Sequence, residues 1–243
     1  MLRSIKTMRG LASIWQRQLK GEKRGPAPSS ARPIDSLWGT VSDYAAEIRQ
    51  SDFMAEMNRH LYGRHSQGLF GDLDGATLYG LTRWQRPAVV VESGGYLGMS
   101  SAFILKALAD EGLTDSRLYS IEGDKDCDHG ALIPNEFRSQ FMPLRGTVEE
   151  FIERDELPAP IDMFLHDSSH RCRHMLWEFR QFWGRLRERG MLVSHDVHTN
   201  AAFAEFVAKT HAPDIKGALD ASRTAHHEWG RWGYLGFVIK KTI

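Results

Sequence analysis

The chain has 243 residues, of which 42% are hydrophobic and 26% are charged, and its formal net charge at pH 7 is zero. These values are ordinary for a globular protein, and no apolar run reaches the roughly 18 residues that a membrane-spanning helix needs, so we expect no transmembrane segment. Two cysteines, Cys127 and Cys172, supply neither a disulfide framework nor a CxxC metal motif, which favours a reducing, cytoplasmic location.

The first 35 residues differ from the remainder in charge. Residues 1–35 contain eight Lys or Arg and two acidic residues, whereas the rest of the chain is acidic and shows no nucleic-acid-binding surface. A Pro-, Gly- and Ser-rich linker follows at 21–33. The segment therefore predicts a basic amphipathic arm and linker, which could bind an anionic membrane surface, target an organelle or form a homo-oligomer contact. Its apolar stripe has helical spacing and consists of Ile5, Met8, Ala12, Trp15 and Leu19.

Residues 36–86 predict a helical N-terminal cap, because apolar side chains recur at near-helical spacing between Trp38 and Leu61. A loop punctuated by glycine and aspartate, and then a short helix, are expected over 68–84. From residue 87 onward, apolar strands alternate with helical patterns. We therefore predict a third unit over 87–243.

That alternation predicts a doubly wound, mostly parallel, seven-stranded Rossmann-like α/β sheet with a C-terminal antiparallel hairpin. Thr147 and Glu150 have the spacing of a helix-capping box. The predicted helices are 100–112, 174–189 and 200–211. The predicted strands are 88–92, 117–124, 143–146, 161–167 and 191–196, followed by a hairpin with one strand near 223–229 and the other at 234–241.

Unusual polar residues stand at the carboxyl ends of these strands, where open α/β sheets bind their ligands. They are Glu92, Glu122 with Asp124, His166 with Asp167, and His195 with Asp196. The sequence thus predicts a single site along this edge of the sheet.

The turn after the first strand, ESGGYLG at 92–98, narrows the choice of ligand. It lacks the lysine of a phosphate-binding loop, and its glycines do not match the GxGxxG dinucleotide motif, although a nicotinamide-dependent oxidoreductase stays open as an alternative. Glu92 would repel a pyrophosphate and suits a cationic ligand such as S-adenosylmethionine. Gly94 and Gly95 would let that ligand approach the backbone, and Gly98 would let the turn pack on the sheet. Ser100 or Ser101 would begin the next helix as its N-cap.

Taken in order, these features resemble class I S-adenosylmethionine-dependent methyltransferases over about 87–241. HDSSH (166–170) and LVSHDV (192–197) are similar to the branch that holds small-molecule O-methyltransferases of antibiotic and sugar tailoring, together with cephalosporin-hydroxylase-like proteins. The resemblance implies that Glu122 binds the ribose hydroxyls, with Asp124 as its rival, and that Gly146 and Thr147 frame the adenine. The full set of implied cofactor-binding residues is Glu92, Gly94, Gly95, Gly98, Ser100, Glu122, Gly123, Thr147 and Asp167.

The resemblance also implies methyl transfer to a small molecule, most simply to a hydroxyl oxygen. Asp167, His170 and His195 are the expected catalytic residues, because a general base must remove the hydroxyl proton. In metal-dependent members the positions of Asp167 and Asp196 bind Mg²⁺, which could assist instead. A non-catalytic scaffold that keeps the cofactor-binding fold stays open as a second alternative. The two His-Asp pairs also suggest a metal-dependent phosphohydrolase as a further alternative, although such enzymes carry these pairs on helices.

Overall fold

The computed structural model describes residues 32–61, 69–210 and 235–240. The basic arm up to residue 31 and the first strand of the predicted C-terminal hairpin lie outside the described residues. Within the described ranges, none of the helices combines the length and the apolar character needed to cross a lipid bilayer.

The core of the fold is a six-stranded sheet with strand order β3-β2-β1-β4-β5-β6. The first five strands run parallel, and β6 pairs with β5 in the antiparallel direction. The predicted Rossmann-like sheet is confirmed, but the count of seven strands is wrong for the described ranges, since only the second strand of the hairpin is found there. The strands are β1 (Val89–Ser93), β2 (Arg117–Glu122), β3 (Phe141–Arg145), β4 (Ile161–His166), β5 (Leu186–Ser194) and β6 (Gly236–Ile239).

Helices cover both faces of the sheet. Short 3-10 helices occur at Ile34–Ser36 and Asn135–Gln140. The α-helices are α1 (Leu37–Arg49), α2 (Asp52–Leu61), α3 (Asp72–Gln85), α4 (Met99–Asp110), α5 (Val148–Glu153), α6 (Cys172–Arg185) and α7 (Ala202–Lys209).

Alternate residues of each central strand enter two separate hydrophobic cores, because successive side chains of a strand point to opposite faces. Val90 packs in the core formed with α1, α3 and α4, whereas its neighbour Val91 packs in the core formed with α5, α6 and α7. The strands are therefore buried on both faces, which explains their uninterrupted apolar runs. The helices of the predicted N-terminal cap share the first core with the sheet.

The helix predicted over 174–189 ends earlier than expected, at Arg185. The Lys240 ammonium donates hydrogen bonds to the carbonyl oxygens of Trp183 (2.8 Å) and Leu186 (2.7 Å). A cation that satisfies the last carbonyls of a helix stabilises its end. The run of arginines that suggested a longer helix instead begins β5, where Arg187 pairs with the buried carboxylate of Asp162 at 2.5 Å.

Candidate active site

A cavity of about 1090 Å³ opens at the carboxyl ends of β1, β2, β4 and β5. The edge that the sequence singled out therefore borders one space. Of the predicted site residues, the following line the cavity: Gly94, Glu122, Gly123, Gly146, Thr147, Asp167, His170, His195 and Asp196.

The glycine turn after β1 presses against the loop after β4. Gly94 has φ +83°, and a Cβ atom there would lie 2.1 Å from the carbonyl oxygen of Asp167 and 2.9 Å from the Cα atom of Ser168. The Asp167 N–H also donates to the Ser93 carbonyl at 2.9 Å. Only glycine fits this position, because both the backbone angle and the close approach exclude a side chain.

Glu92 and Ser100 lie behind the turn and do not line the cavity. The Glu92 carboxylate is fully buried and accepts hydrogen bonds from the hydroxyls of Ser100 (2.5 Å), Ser101 (2.5 Å) and Ser120 (2.6 Å). Burial raises the pKa of Glu92, and these three hydrogen bonds oppose that rise. Ser100 lies inside α4 instead of capping it, since Gly98 is the N-cap residue.

Gly95 and Gly98 make room for packing behind the same turn. A Cβ atom on Gly95 would lie 2.1 Å from the Ser120 hydroxyl, and one on Gly98, where φ is +88°, would lie 2.8 Å from the Cα atom of Gly130. Neither glycine lines the cavity. Their small size therefore lets neighbouring segments approach the turn from behind.

Glu122 presents a carboxylate to the cavity with both oxygens already oriented. One oxygen accepts the Tyr96 N–H at 2.6 Å and the other accepts the Asp124 N–H at 2.7 Å. A carboxylate offers about four acceptor positions, so two remain for a ligand with paired hydroxyls. Asp124 is exposed and is not part of the cavity wall.

Thr147 lies at the cavity wall as the N-cap of α5. Its hydroxyl accepts the Glu150 N–H at 3.3 Å, and the Glu150 carboxylate accepts the Thr147 N–H at 3.1 Å. The capping box predicted from the sequence is confirmed. The box fixes the segment that follows β3 against the cavity.

Two histidines and two aspartates form an acid–imidazole cluster at the other end of the cavity: Asp167, His170, His195 and Asp196. The His195 Nδ1 atom lies 2.9 Å from Asp167 Oδ1 and 3.8 Å from Asp196 Oδ2. The His170 Nε2 atom lies 3.7 Å from Asp167 Oδ1 and 3.5 Å from Asp196 Oδ2. It is buried and has no hydrogen-bond partner in the described part of the chain.

His195 is held from both sides. The Phe70 ring lies against its imidazole with ring centroids 4.4 Å apart, and Asp74 Oδ2 lies 3.4 Å from Nε2. Burial alone would lower the pKa of His195, but the charge of Asp167 and hydrogen bonds to Asp167 and Asp74 raise it to about 11. The same histidine keeps the pKa of Asp167 below its usual value in spite of burial.

Sequence reasoning missed Asp74 and Glu178, which both line the cavity. Asp74 lies in the first turn of α3, in a stretch expected to be a loop. Glu178 is fully buried on α6, where it looked like one polar residue in an amphipathic pattern. No local signal marks either residue, because each reaches the site only through the packing of its helix.

The Glu178 carboxylate joins the ends of two strands. It accepts hydrogen bonds from the hydroxyls of Ser93 (2.7 Å) and Ser168 (2.8 Å), and both His166 and His174 lie 2.7 Å from its oxygens. Burial alone would raise the pKa of Glu178, but the hydrogen bonds from the two histidines outweigh it and lower the pKa to about 2. The hydrogen bond to Glu178 in turn raises the pKa of His174.

The residues around Asp167 and Asp196 do not fit Mg²⁺. This ion demands near-octahedral oxygen ligands, whereas the atoms closest to the two carboxylates are imidazole nitrogens of His170 and His195. We therefore assign no step of the reaction to magnesium.

A mostly parallel sheet with this strand order, a glycine turn after β1 and an acidic residue ending β2 define the class I methyltransferase fold. Residues 91–197 match the family model of a methyltransferase domain, and this match confirms the class that the sequence indicated. Among curated protein sequences, none matches the chain significantly.

Solved structures support the same fold. The O-methyltransferase TomG from Streptomyces achromogenes, involved in tomaymycin synthesis and solved with SAM, shares 18% identity over 86% of this chain and 100% of its own, with a TM-score of 0.53. The SAH-bound methyltransferase PaMTH1 from Podospora anserina shares 12% identity over 89% of this chain and 100% of its own, with a TM-score of 0.52. A methyltransferase from Geobacter sulfurreducens shares 20% identity over 70% of this chain and 86% of its own, with a TM-score of 0.50.

Proposed function

We propose that the chain transfers the methyl group of S-adenosylmethionine to a hydroxyl oxygen of a small molecule. One observation carries this proposal: a single cavity contains the glycine turn and Glu122 at one end and the acid–imidazole cluster at the other. The first end suits a ligand with paired ribose hydroxyls. The second end can receive the proton that a hydroxyl acceptor must lose.

The residues of the first end fit the cofactor. Gly94 leaves its backbone uncovered beside Asp167. The backbone N–H groups of Tyr96 and Asp124 hold the Glu122 carboxylate in a fixed orientation, and two of its acceptor positions remain for a ligand. We assign the amino acid half of the cofactor to Gly94 and Asp167, its ribose to Glu122 and Gly123, and its adenine to the segment at Thr147. S-adenosylmethionine supplies an electrophilic methyl group when bound.

The acid–imidazole cluster determines where the acceptor reacts. The acceptor oxygen forms the new O–C bond while the S–C bond breaks and leaves its electron pair on sulfur. The hydroxyl proton passes to the His170 Nε2 atom, which has no hydrogen-bond partner in the described part of the chain. Holding the reacting atoms in line supplies much of the acceleration expected of such an enzyme.

Calorimetric titration with S-adenosylmethionine, S-adenosylhomocysteine and NAD tests the cofactor assignment. We expect the first two to bind with a stoichiometry of one and NAD not to bind. Binding of NAD alone would refute the proposal and favour the oxidoreductase.

Radiolabelled methyl transfer to a panel of sugars, phenols and polyols tests the reaction. His170→Ala should abolish turnover with little change in cofactor affinity, while His60→Ala, an exposed histidine on α2, is the matched control. Cofactor binding without turnover on any hydroxyl compound would favour the scaffold. Full activity of His170→Ala would place the chemistry elsewhere in the cavity.

A further inference from the structure

Three members of the acid–imidazole cluster bring potential ligand atoms close together. Asp167, His170 and His195 each offer one such atom, and the three atoms lie within 4.8 Å of one another. Four distances between the two imidazoles and the carboxylates of Asp167 and Asp196 run from 2.9 Å to 3.8 Å. Ligand atoms about 2.0–2.2 Å from one tetrahedral ion would be roughly 3.3–3.5 Å apart, so the cluster has the dimensions of a metal site.

The donor types select the ion. Two imidazole nitrogens with carboxylate oxygens suit zinc, manganese, iron, cobalt or nickel, whereas magnesium prefers oxygen ligands alone. We propose that Asp167, His170 and His195, with Asp196 beside them, bind a divalent transition-metal ion in preference to magnesium.

The surroundings of the cluster are those of a supported metal site. Ligating histidines usually donate their second ring N–H to a carboxylate, and the buried Asp74 carboxylate lies 3.4 Å from Nε2 of His195. The His170 carbonyl is anchored by the Asn200 side chain at 2.9 Å. Asp196 has φ +52°, an unusual conformation for a residue other than glycine, and its carboxylate lies 3.5 Å from His170 Nε2.

The His195 Nδ1 atom and the Asp167 Oδ1 atom, two of the proposed ligand atoms, lie 2.9 Å apart. With the ion bound, a hydroxyl of the acceptor would complete its coordination and lose its proton to water more readily. This role rests on the proposed methyl transfer, whereas the binding of the ion does not.

The test uses Co²⁺ as a spectroscopic probe on the full-length protein after removal of metals with a chelator. We expect one Co²⁺ per chain, a visible absorption band from nitrogen and oxygen ligands, and an affinity at least about a hundredfold higher than that for Mg²⁺. Equal affinity for the two ions, or no stoichiometric Co²⁺ binding, would overturn the proposal.

Variants decide whether the cluster is the binding site. His170→Ala should weaken Co²⁺ binding at least about tenfold, and Asp74→Asn by a similar factor through His195, while His60→Ala should leave it unchanged. His195→Asp replaces one of the two imidazole ligands with a carboxylate and should shift the preference toward Mg²⁺. Since His195 is packed against Phe70, folding of that variant is checked by circular dichroism, and the partly exposed His170 supplies the independent comparison.

Assays of methyl transfer and of cofactor binding distinguish a failure of the metal proposal from a failure of the proposed function. Loss of turnover after chelation, restored by Co²⁺ but not by Mg²⁺, would support the role of the ion. Full turnover by the metal-stripped protein would overturn that role and leave the methyltransferase intact. Failure to bind S-adenosylhomocysteine would refute the proposed function, while the Co²⁺ titration would still stand.

Discussion

Gly94→Ala tests the contact on which the cofactor end of the cavity depends. The added Cβ atom would stand 2.1 Å from the Asp167 carbonyl oxygen, so the turn or the loop after β4 must move by about 1 Å to restore an ordinary contact. The left-handed backbone costs a residue other than glycine about 1–2 kcal/mol, and relief of the overlap adds about 1–3 kcal/mol. A displacement of about 1 Å at reacting groups can reduce turnover about a hundredfold.

Gly112→Ala is the matched control, because Gly112 also has a positive φ (+66°) but an added Cβ atom would meet nothing within 4 Å. Urea unfolding should show a loss of about 1–2 kcal/mol for Gly112→Ala and a larger loss for Gly94→Ala. Calorimetry should show unchanged S-adenosylhomocysteine affinity for the control and a strong loss for Gly94→Ala. Equal stability losses together with intact affinity in both variants would refute the close-contact argument.

Substitutions at four further carboxylates probe their separate roles. Glu122→Gln should weaken S-adenosylhomocysteine binding about tenfold or more in calorimetry, because a charged acceptor is lost, while Asp124→Asn should have little effect; the reverse order would make Asp124 the ribose ligand. Glu92→Gln should lower the unfolding free energy by about 1–3 kcal/mol with cofactor affinity nearly unchanged, and a large loss of affinity would instead put Glu92 in contact with the cofactor. Because the pKa of Glu178 is lowered to about 2, its contribution to stability is complete above about pH 4.5 and is lost as the pH falls toward 2, on the order of 3 kcal/mol in all. Urea unfolding of the wild type and of Glu178→Gln should therefore converge over that range, and a constant difference would contradict the charge-based account.

The sheet could be predicted from the sequence because its strands are buried on both faces, so that runs such as Val89–Val91 carry no polar residue. The residues at the strand ends could also be predicted to lie together, because the carboxyl ends of parallel strands meet along one edge of the sheet. Asp74 could not, because only the packing of α3 against α4 brings it to His195.

The position of Glu92 also escaped the sequence. Its charge and its place before the glycines suggested contact with a cationic ligand, but three serine hydroxyls from two elements surround its carboxylate. Two of those serines belong to α4 and the third to β2, so the contacts depend on the finished fold. A sequence motif predicts which residue types lie near one another, whereas the direction in which each side chain points depends on tertiary packing.

The shared carboxylate of Glu178 divides the cavity wall into a fixed part and an adjustable part. The hydroxyls of Ser93, at the end of β1, and Ser168, after β4, both donate to this buried carboxylate. A change at either strand end would therefore remove a hydrogen bond from a buried charge, which is costly. Leu69 and Gly71 also line the cavity, but they precede α3 and are not bound to that carboxylate. The range of acceptors should therefore change first, in laboratory evolution, through substitutions at Leu69 and Gly71, with the cofactor-binding end of the cavity left intact.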